Sequence, residues 1–291
     1  MAGAGEGGAE EPVEVPAEAL GLAPDRAGGA AWAAEAGAPG PAGRRDQDGG
    51  VGRRGALPRV IAIDGPAGAG KSTVALELAG RLGYFYFDTG ALYRAVTLAA
   101  LRRGIPVDDR EALARLVKAI HIDVEPPRIA DGRMQTVLLD GEDVTWATRA
   151  PEVDRNVSTV SAFPEVRQAL LQRQRAVAAR GGVIMAGRDI GTVVLPDADL
   201  KIYLEATPEE RARRRAAEER ARGLERPFAE VLADIERRDD IDAHRALSPL
   251  RPAGDAVIVD TEHLDIGGVL AAIERIIAER AERSHGGDGH G

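Results

Sequence analysis

Val60-Ile61-Ala62-Ile63-Asp64-Gly65-Pro66-Ala67-Gly68-Ala69-Gly70-Lys71-Ser72-Thr73 runs from an apolar segment straight into a glycine-rich turn. Four apolar residues in succession are what a strand buried on both faces requires. Gly65 to Ser72 then satisfies G-x-x-x-x-G-K-[ST] in full. In such a turn the glycines let backbone N–H groups approach a phosphate, and the following helix adds its N-terminal dipole. Lys71 is placed to bridge β- and γ-phosphates, and the Ser72 hydroxyl to ligate Mg²⁺. Gly65, Pro66, Ala67, Gly68, Ala69, Gly70, Lys71, Ser72 and Thr73 are the expected nucleotide-binding set. The bland alternative is a chance turn in a chain with 35 glycines. Context weighs against it, because Val74, Leu78 and Leu82 form one helical stripe that stops at Gly83.

Outward from this turn, short apolar runs alternate with helical periodicity. Further strands are expected at Tyr84–Phe87, Val183–Ala186, Leu200–Leu204 and Ala256–Val259, with a helix from about Ala91 to Arg103 that ends at Gly104. Thr207-Pro208-Glu209-Glu210 opens another helix with an N-cap, a proline at the first position and a glutamate at the third. The pattern predicts an α/β fold: a doubly wound, five-stranded parallel sheet with helices on both faces. One region departs from it. Between about His121 and Thr145, Asp131-Gly132 and Asp140-Gly141 punctuate short apolar runs, which is hairpin chemistry. An antiparallel insertion is expected there, followed by helices near Pro151–Ala162 and Pro164–Arg180.

The 291 residues suffice for one α/β domain with an insertion. Residues 1–56 are rich in Ala, Gly, Glu and Pro and are expected to be disordered, with a folded unit over 57–282 and a flexible tail over 283–291. Within the unit, the insertion spans about 121–180 and a helical lid about 207–227. No run approaches the roughly 18 to 20 apolar residues of a membrane span, and no signal peptide pattern opens the chain. With no cysteine, thiolate chemistry and disulfides are excluded. A cytoplasmic address without membrane association is the expectation. The net charge of −9 argues against nucleic-acid binding. Lys71, Lys118 and Lys201 are the only lysines, so positive charge for an anionic ligand must come from arginine.

Three more segments sharpen the reading. Asp88-Thr89-Gly90-Ala91-Leu92-Tyr93-Arg94 follows the second strand, and Gly187-Arg188-Asp189-Ile190-Gly191-Thr192 the third. Arg238-Asp239-Asp240-Ile241-Asp242-Ala243-His244-Arg245 ends a helix. Taken in this order with the glycine-rich turn, they resemble the bacterial cytidylate kinases, P-loop nucleoside monophosphate kinases, over about Val60 to Ile277. The resemblance implies a P-loop NTPase fold, ATP and Mg as cofactors, CMP or dCMP as acceptor, and a monomer as the expected state. It assigns Arg94 and Arg188 to the CMP phosphate, Ser158, Arg167, Asp189 and Arg245 to the cytosine, and Arg238 and Asp242 to the ribose. Thr89 and Tyr93 join the substrate-binding set. Arg211, Arg214 and Arg215 match the lid arginines over ATP and, with Lys71 and Arg188, form the catalytic set.

The residues have bland readings too. Arginine on a helix face is usually solvated, Asp189 could be an ordinary N-cap, and Asp242 could simply pair with Arg238. Tyr93 reads more readily as packing than as catalysis, and Ser158 is a common helix residue. The histidines are scattered without metal-ligand spacing. Two alternatives stay open: a kinase of the same fold acting on UMP or AMP, and a nucleotide-sensing protein without turnover.

Overall fold

The computed structural model describes residues 57–221, 223–245 and 247–286, with side-chain surroundings to residue 282. The expected disorder of residues 1–56 lies outside the described residues, as do 287–291. Strand β1 (Val60–Asp64) leads into helix α1 (Lys71–Leu82), then β2 (Phe85–Asp88), α2 (Gly90–Arg102) and α3 (Arg110–Ala119). The insertion follows as β3 (Ile122–Glu125), β4 (Thr136–Leu139) and β5 (Glu142–Asp143). Next come α4 (Pro151–Ala162), α5 (Pro164–Ala178), β6 (Val183–Gly187), β7 (Leu200–Glu205), α6 (Pro208–Ala221), α7 (Phe228–His244), β8 (Val257–Asp260) and α8 (Ile266–Gly286). Helix α8 thus continues past Glu282, into the segment expected to be a tail. Helix α3 was not anticipated, although its signal was present: the Asp109 side chain accepts from Ala112 N at 2.9 Å, and Leu113, Leu116 and Val117 form its buried face.

The main sheet has five parallel strands in the order β2-β6-β1-β7-β8. Alternate residues of its central strands face opposite layers. Ile61 and Ile63 of β1 pack with Leu78, Ile202 and Ile273 under α1 and α8. Ala62 and Met185 face the other side, among Phe87, Val96 and Leu170. Both faces being covered explains the unbroken apolar runs. The second sheet is antiparallel in the order β3-β4-β5, its last turn made by Asp140 and Gly141, both at positive φ. The chain crosses from β1 out to β2 and later returns β6 between them. The C-terminal ends of β1, β2, β6 and β7 therefore flank the crevice where such sheets bind ligands.

Candidate active site

Gly65 leaves β1 at φ 149°, and a Cβ there would lie 2.2 Å from Leu204 O, so the turn admits no side chain at its first residue. Gly70, in the left-handed region at φ 83°, ends the turn and starts α1. Lys71 Nζ donates to Pro66 O at 2.6 Å, which folds the lysine back over the loop. Burial, and then the nearby Arg188, push the Lys71 ammonium well below the ordinary lysine range. Asp88, Asp242 and Asp64 pull the other way, so positive and negative groups meet at the loop.

The loop faces a cleft of about 980 Å³. Among the expected residues, Gly65, Pro66 and Arg211 do not line it, and the others do. On the far wall, β6 delivers Arg188 and Asp189. Asp189 pairs with Arg167 of α5, whose Nη1 also donates to Ser161 O at 3.1 Å and whose guanidinium carbon lies 5.3 Å from the Tyr93 ring centroid. Arg188 Nε donates to Asp242 Oδ2 at 2.9 Å, and Arg245 Nη1 lies 3.5 Å from Asp242 Oδ1. Ser158 on α4 is buried at the same wall. Thr89 Oγ1 donates to Ala186 O at 3.0 Å, which ties the start of α2 to β6. Two guanidinium nitrogens on this wall, Arg167 Nε and Arg245 Nη2, are buried without a hydrogen-bond partner, an expensive arrangement that favours a ligand with acceptors.

The remaining arginines meet elsewhere in the cleft. Asp154 of α4 holds Arg94 at 2.8 Å, Arg238 at 2.6 Å and Arg215 at 2.9 Å. Arg214 is turned toward β8, its Nη1 donating to Thr261 Oγ1 at 3.0 Å, and also bonds Glu210. Arg211 is fully committed: it donates to Asp239, to Ala206 O and, at 3.0 Å, to Ala67 O of the phosphate-binding loop. Buried, Arg211 ties the loop to α7 through its bonds to Ala67 O and Asp239.

Among the described residues, no group of three or more His, Asp or Glu side chains gathers as a metal site. Mg²⁺ does not need one, because it keeps several waters and takes phosphate oxygens as ligands. Ser72, on the first turn of α1 and at the cleft wall, fits as its single protein hydroxyl.

Residues 61–279 match the family model described as Cytidylate kinase. The chain belongs to the cytidylate kinase family. A cytidylate kinase of Chloroflexus aggregans is 53% identical over 208 residues, 72% of this chain and 89% of its own. One from Herpetosiphon aurantiacus is 50% identical over 225 residues, covering 77% of this chain and 96% of that protein. One from Desulfitobacterium hafniense is 49% identical, with 77% and 95% covered.

Several residues of this cytidylate kinase site were not singled out from sequence. Asp64 ends β1 and accepts from Ile190 N at 2.8 Å and Gly191 N at 2.7 Å, capping the single π-helical turn Ile190–Val194 that follows Asp189. Burial raises its carboxyl to about 6, against the pull of those two N–H groups. Gln135 of the insertion exchanges hydrogen bonds with the Asp88 backbone, at 3.0 Å from Asp88 N and 3.3 Å to Asp88 O. Thr261 and Leu264 to Gly267 close the side of the cleft next to the phosphate-binding loop. Only long-range packing brings these groups to the site, so no local motif announces them.

Proposed function

We propose that this chain transfers the γ-phosphate of ATP to CMP or dCMP, giving ADP and CDP or dCDP. The observation that carries the reading is the wall opposite the phosphate-binding loop. There the Asp189 carboxylate stands beside two buried, unpartnered guanidinium N–H donors, Arg167 Nε and Arg245 Nη2. Cytosine offers an amine to Asp189 and two ring acceptors to the arginines. Uracil keeps O2 but reverses the pattern at O4 and N3–H, which would leave buried groups unpaired, at about 1–3 kcal/mol each.

In this reading Arg94 and Arg188 hold the CMP phosphate while Arg238 and Asp242 hold the ribose. Gly65 to Thr73 hold ATP, and bound Mg²⁺, with Ser72 as ligand, neutralises charge on the phosphates. A phosphate oxygen of CMP forms the new bond to the γ-phosphorus as the bond to the β-bridging oxygen breaks and ADP leaves. A monophosphate dianion is already nucleophilic, so no general base is needed. The protein's work is alignment and positive charge, supplied by Lys71, Arg188 and the lid arginines Arg214 and Arg215. Arg211 acts through the loop it braces, a positioning role.

A coupled ADP-release assay with Mg-ATP and CMP, dCMP, UMP, AMP or GMP tests this. Turnover with CMP and dCMP alone is expected. Turnover with UMP or AMP instead would keep the kinase and discard the cytosine assignments of Arg167, Asp189 and Arg245. ATP binding without turnover on any acceptor would point to a sensor. Arg188→Gln is expected to lower kcat by about 10² to 10³ with ATP affinity kept within about threefold; unchanged turnover would remove Arg188 from the site.

A further inference from the structure

Asp154 is the hub of a charge cluster on the cleft wall. It sits in the first turn of α4, nearly buried, and its two carboxylate oxygens serve three guanidinium groups from three other helices. Oδ1 takes Arg94 of α2, and Oδ2 takes both Arg238 of α7 and Arg215 of α6. Arg238 also donates to the Asp154 carbonyl oxygen. Burial alone would raise the Asp154 carboxyl, yet Arg94, Arg238 and Arg215 together hold it well below the usual carboxylate range. It is therefore charged throughout the working pH range.

At its centre the cluster sets three positive charges against one negative charge, while Glu218 and Glu219 meet Arg215 from its outer side and Glu219 also lies 3.6 Å from Arg226. Three guanidinium groups held this close repel one another, and Asp154 is the one group that touches all three. Without it, each long side chain would be free to turn away, and among the described residues its ion pair to α6 is the one with Arg215. We infer that Asp154 is a positioning residue that couples the lid helix α6 to the acceptor side of the cleft, holding Arg215, Arg94 and Arg238 converged on one point. Among the described residues Arg94 and Arg238 pair with no carboxylate besides Asp154, and their positive charge suits a dianionic phosphate. Arrival of that phosphate at Arg94 is thereby felt at Arg215, and the lid is set before both nucleotides are bound. This role rests on the reading of Arg94 and Arg238 as acceptor residues.

A purely local role competes with this one. An acidic residue in a first turn favours the helix dipole, so Asp154 could serve α4 alone. Hydrogen exchange of the Pro208–Ala221 helix in the full chain without nucleotide separates the two, combined with KM values for CMP and ATP. Asp154→Asn keeps shape and removes charge. It is expected to speed α6 exchange by about tenfold, raise the CMP KM about tenfold and leave the ATP KM within about twofold. Arg215→Gln should speed α6 exchange equally, and adding it to Asp154→Asn should bring no further increase. Asp154→Glu should recover part of the loss.

Unchanged α6 exchange in Asp154→Asn, whatever its melting temperature, would overturn the inference, as would additive effects of the two substitutions. Should Asp154→Asn fail to fold, Arg215→Gln decides alone, with wild-type α6 exchange as the overturning result. An enzyme that phosphorylates CMP but shows no lid response refutes only the coupling. A chain that ignores CMP yet shows the response refutes only the acceptor reading.

Discussion

At the residue scale the site depends on a few buried charges whose partners can be counted. Arg245 is 8% exposed, donates through Nε to Ser248 O at 2.7 Å, and keeps Nη2 free of any protein acceptor. Removing the guanidinium by Arg245→Met should cut kcat/KM for CMP by about 10- to 100-fold, while UMP, whose N3–H cannot accept from that donor as cytosine N3 does, loses less. Competition kinetics with the two nucleotides reads the ratio directly; equal losses would show that Arg245 does not read the base. Asp64 yields a prediction of opposite character. Its folded pKa, about 6, lies above the unfolded 3.8, so the folded chain binds the extra proton between those values. Its contribution to stability is complete below the unfolded value and is lost as pH rises through the folded one. The span corresponds to about 3 kcal/mol. In urea titrations, wild type minus Asp64→Asn should therefore fall between pH 4 and 6.5 and level off above 7. A difference that does not vary with pH would mean the Asp64 carboxyl is not perturbed. Neither residue explains itself locally. Arg245 is legible from its motif, whereas Asp64, at the end of β1, carries no local signal, because its two N–H partners lie across the sheet at Ile190 and Gly191.

At the element scale, local chemistry accounts for most of what was legible. The five strands, the glycine-ended helices and the Asp-Gly turns all follow from spacing and turn residues, because each element carries its own start and stop signals. Helix α6 shows where that logic ends. Thr207 is its cap, accepting from Glu210 N at 3.2 Å as the pattern implies. The reciprocal bond to Thr207 N, however, comes from Glu262 at 2.8 Å and not from Glu210, whose carboxylate is drawn to Arg213 and Arg214. A residue beyond β8 thus completes the cap, 55 positions along the chain, and no local window could reveal it. Thr207→Ala removes the acceptor for Glu210 N and the hydroxyl bound by Glu262. It should loosen the first turn of α6 by about 1 kcal/mol, seen as faster amide exchange at residues 209–211 with little change in β7. Exchange at wild-type rates would assign the cap to the backbone alone.

At the scale of the whole molecule, the question is whether the antiparallel insertion behaves as a separate body. Its strands could suggest so, since they form their own antiparallel sheet beside the parallel one. The packing argues otherwise. Ile122, Val137, Leu139 and Val144 of the insertion share one continuous buried cluster with Phe87, Val96 and Met185 of the main domain. Gln135 adds hydrogen bonds to the end of β2, at the edge of the cleft. Three short strands with no core of their own cannot fold alone. The prediction is a single cooperative thermal transition, with calorimetric and van't Hoff enthalpies equal. Val137→Ala, at a position 2% exposed in that shared cluster, should cost about 2 kcal/mol and lower the single midpoint by about 4–8 °C. Two resolved transitions, only the lower of them moved by Val137→Ala, would show the insertion to be independent. The functional consequence follows from the same packing. If the insertion cannot melt or drift separately from β2, the acceptor wall is a fixed surface. On the function proposed above, motion that encloses the two nucleotides then falls on α6, which reaches that wall through the Arg215–Asp154 ion pair.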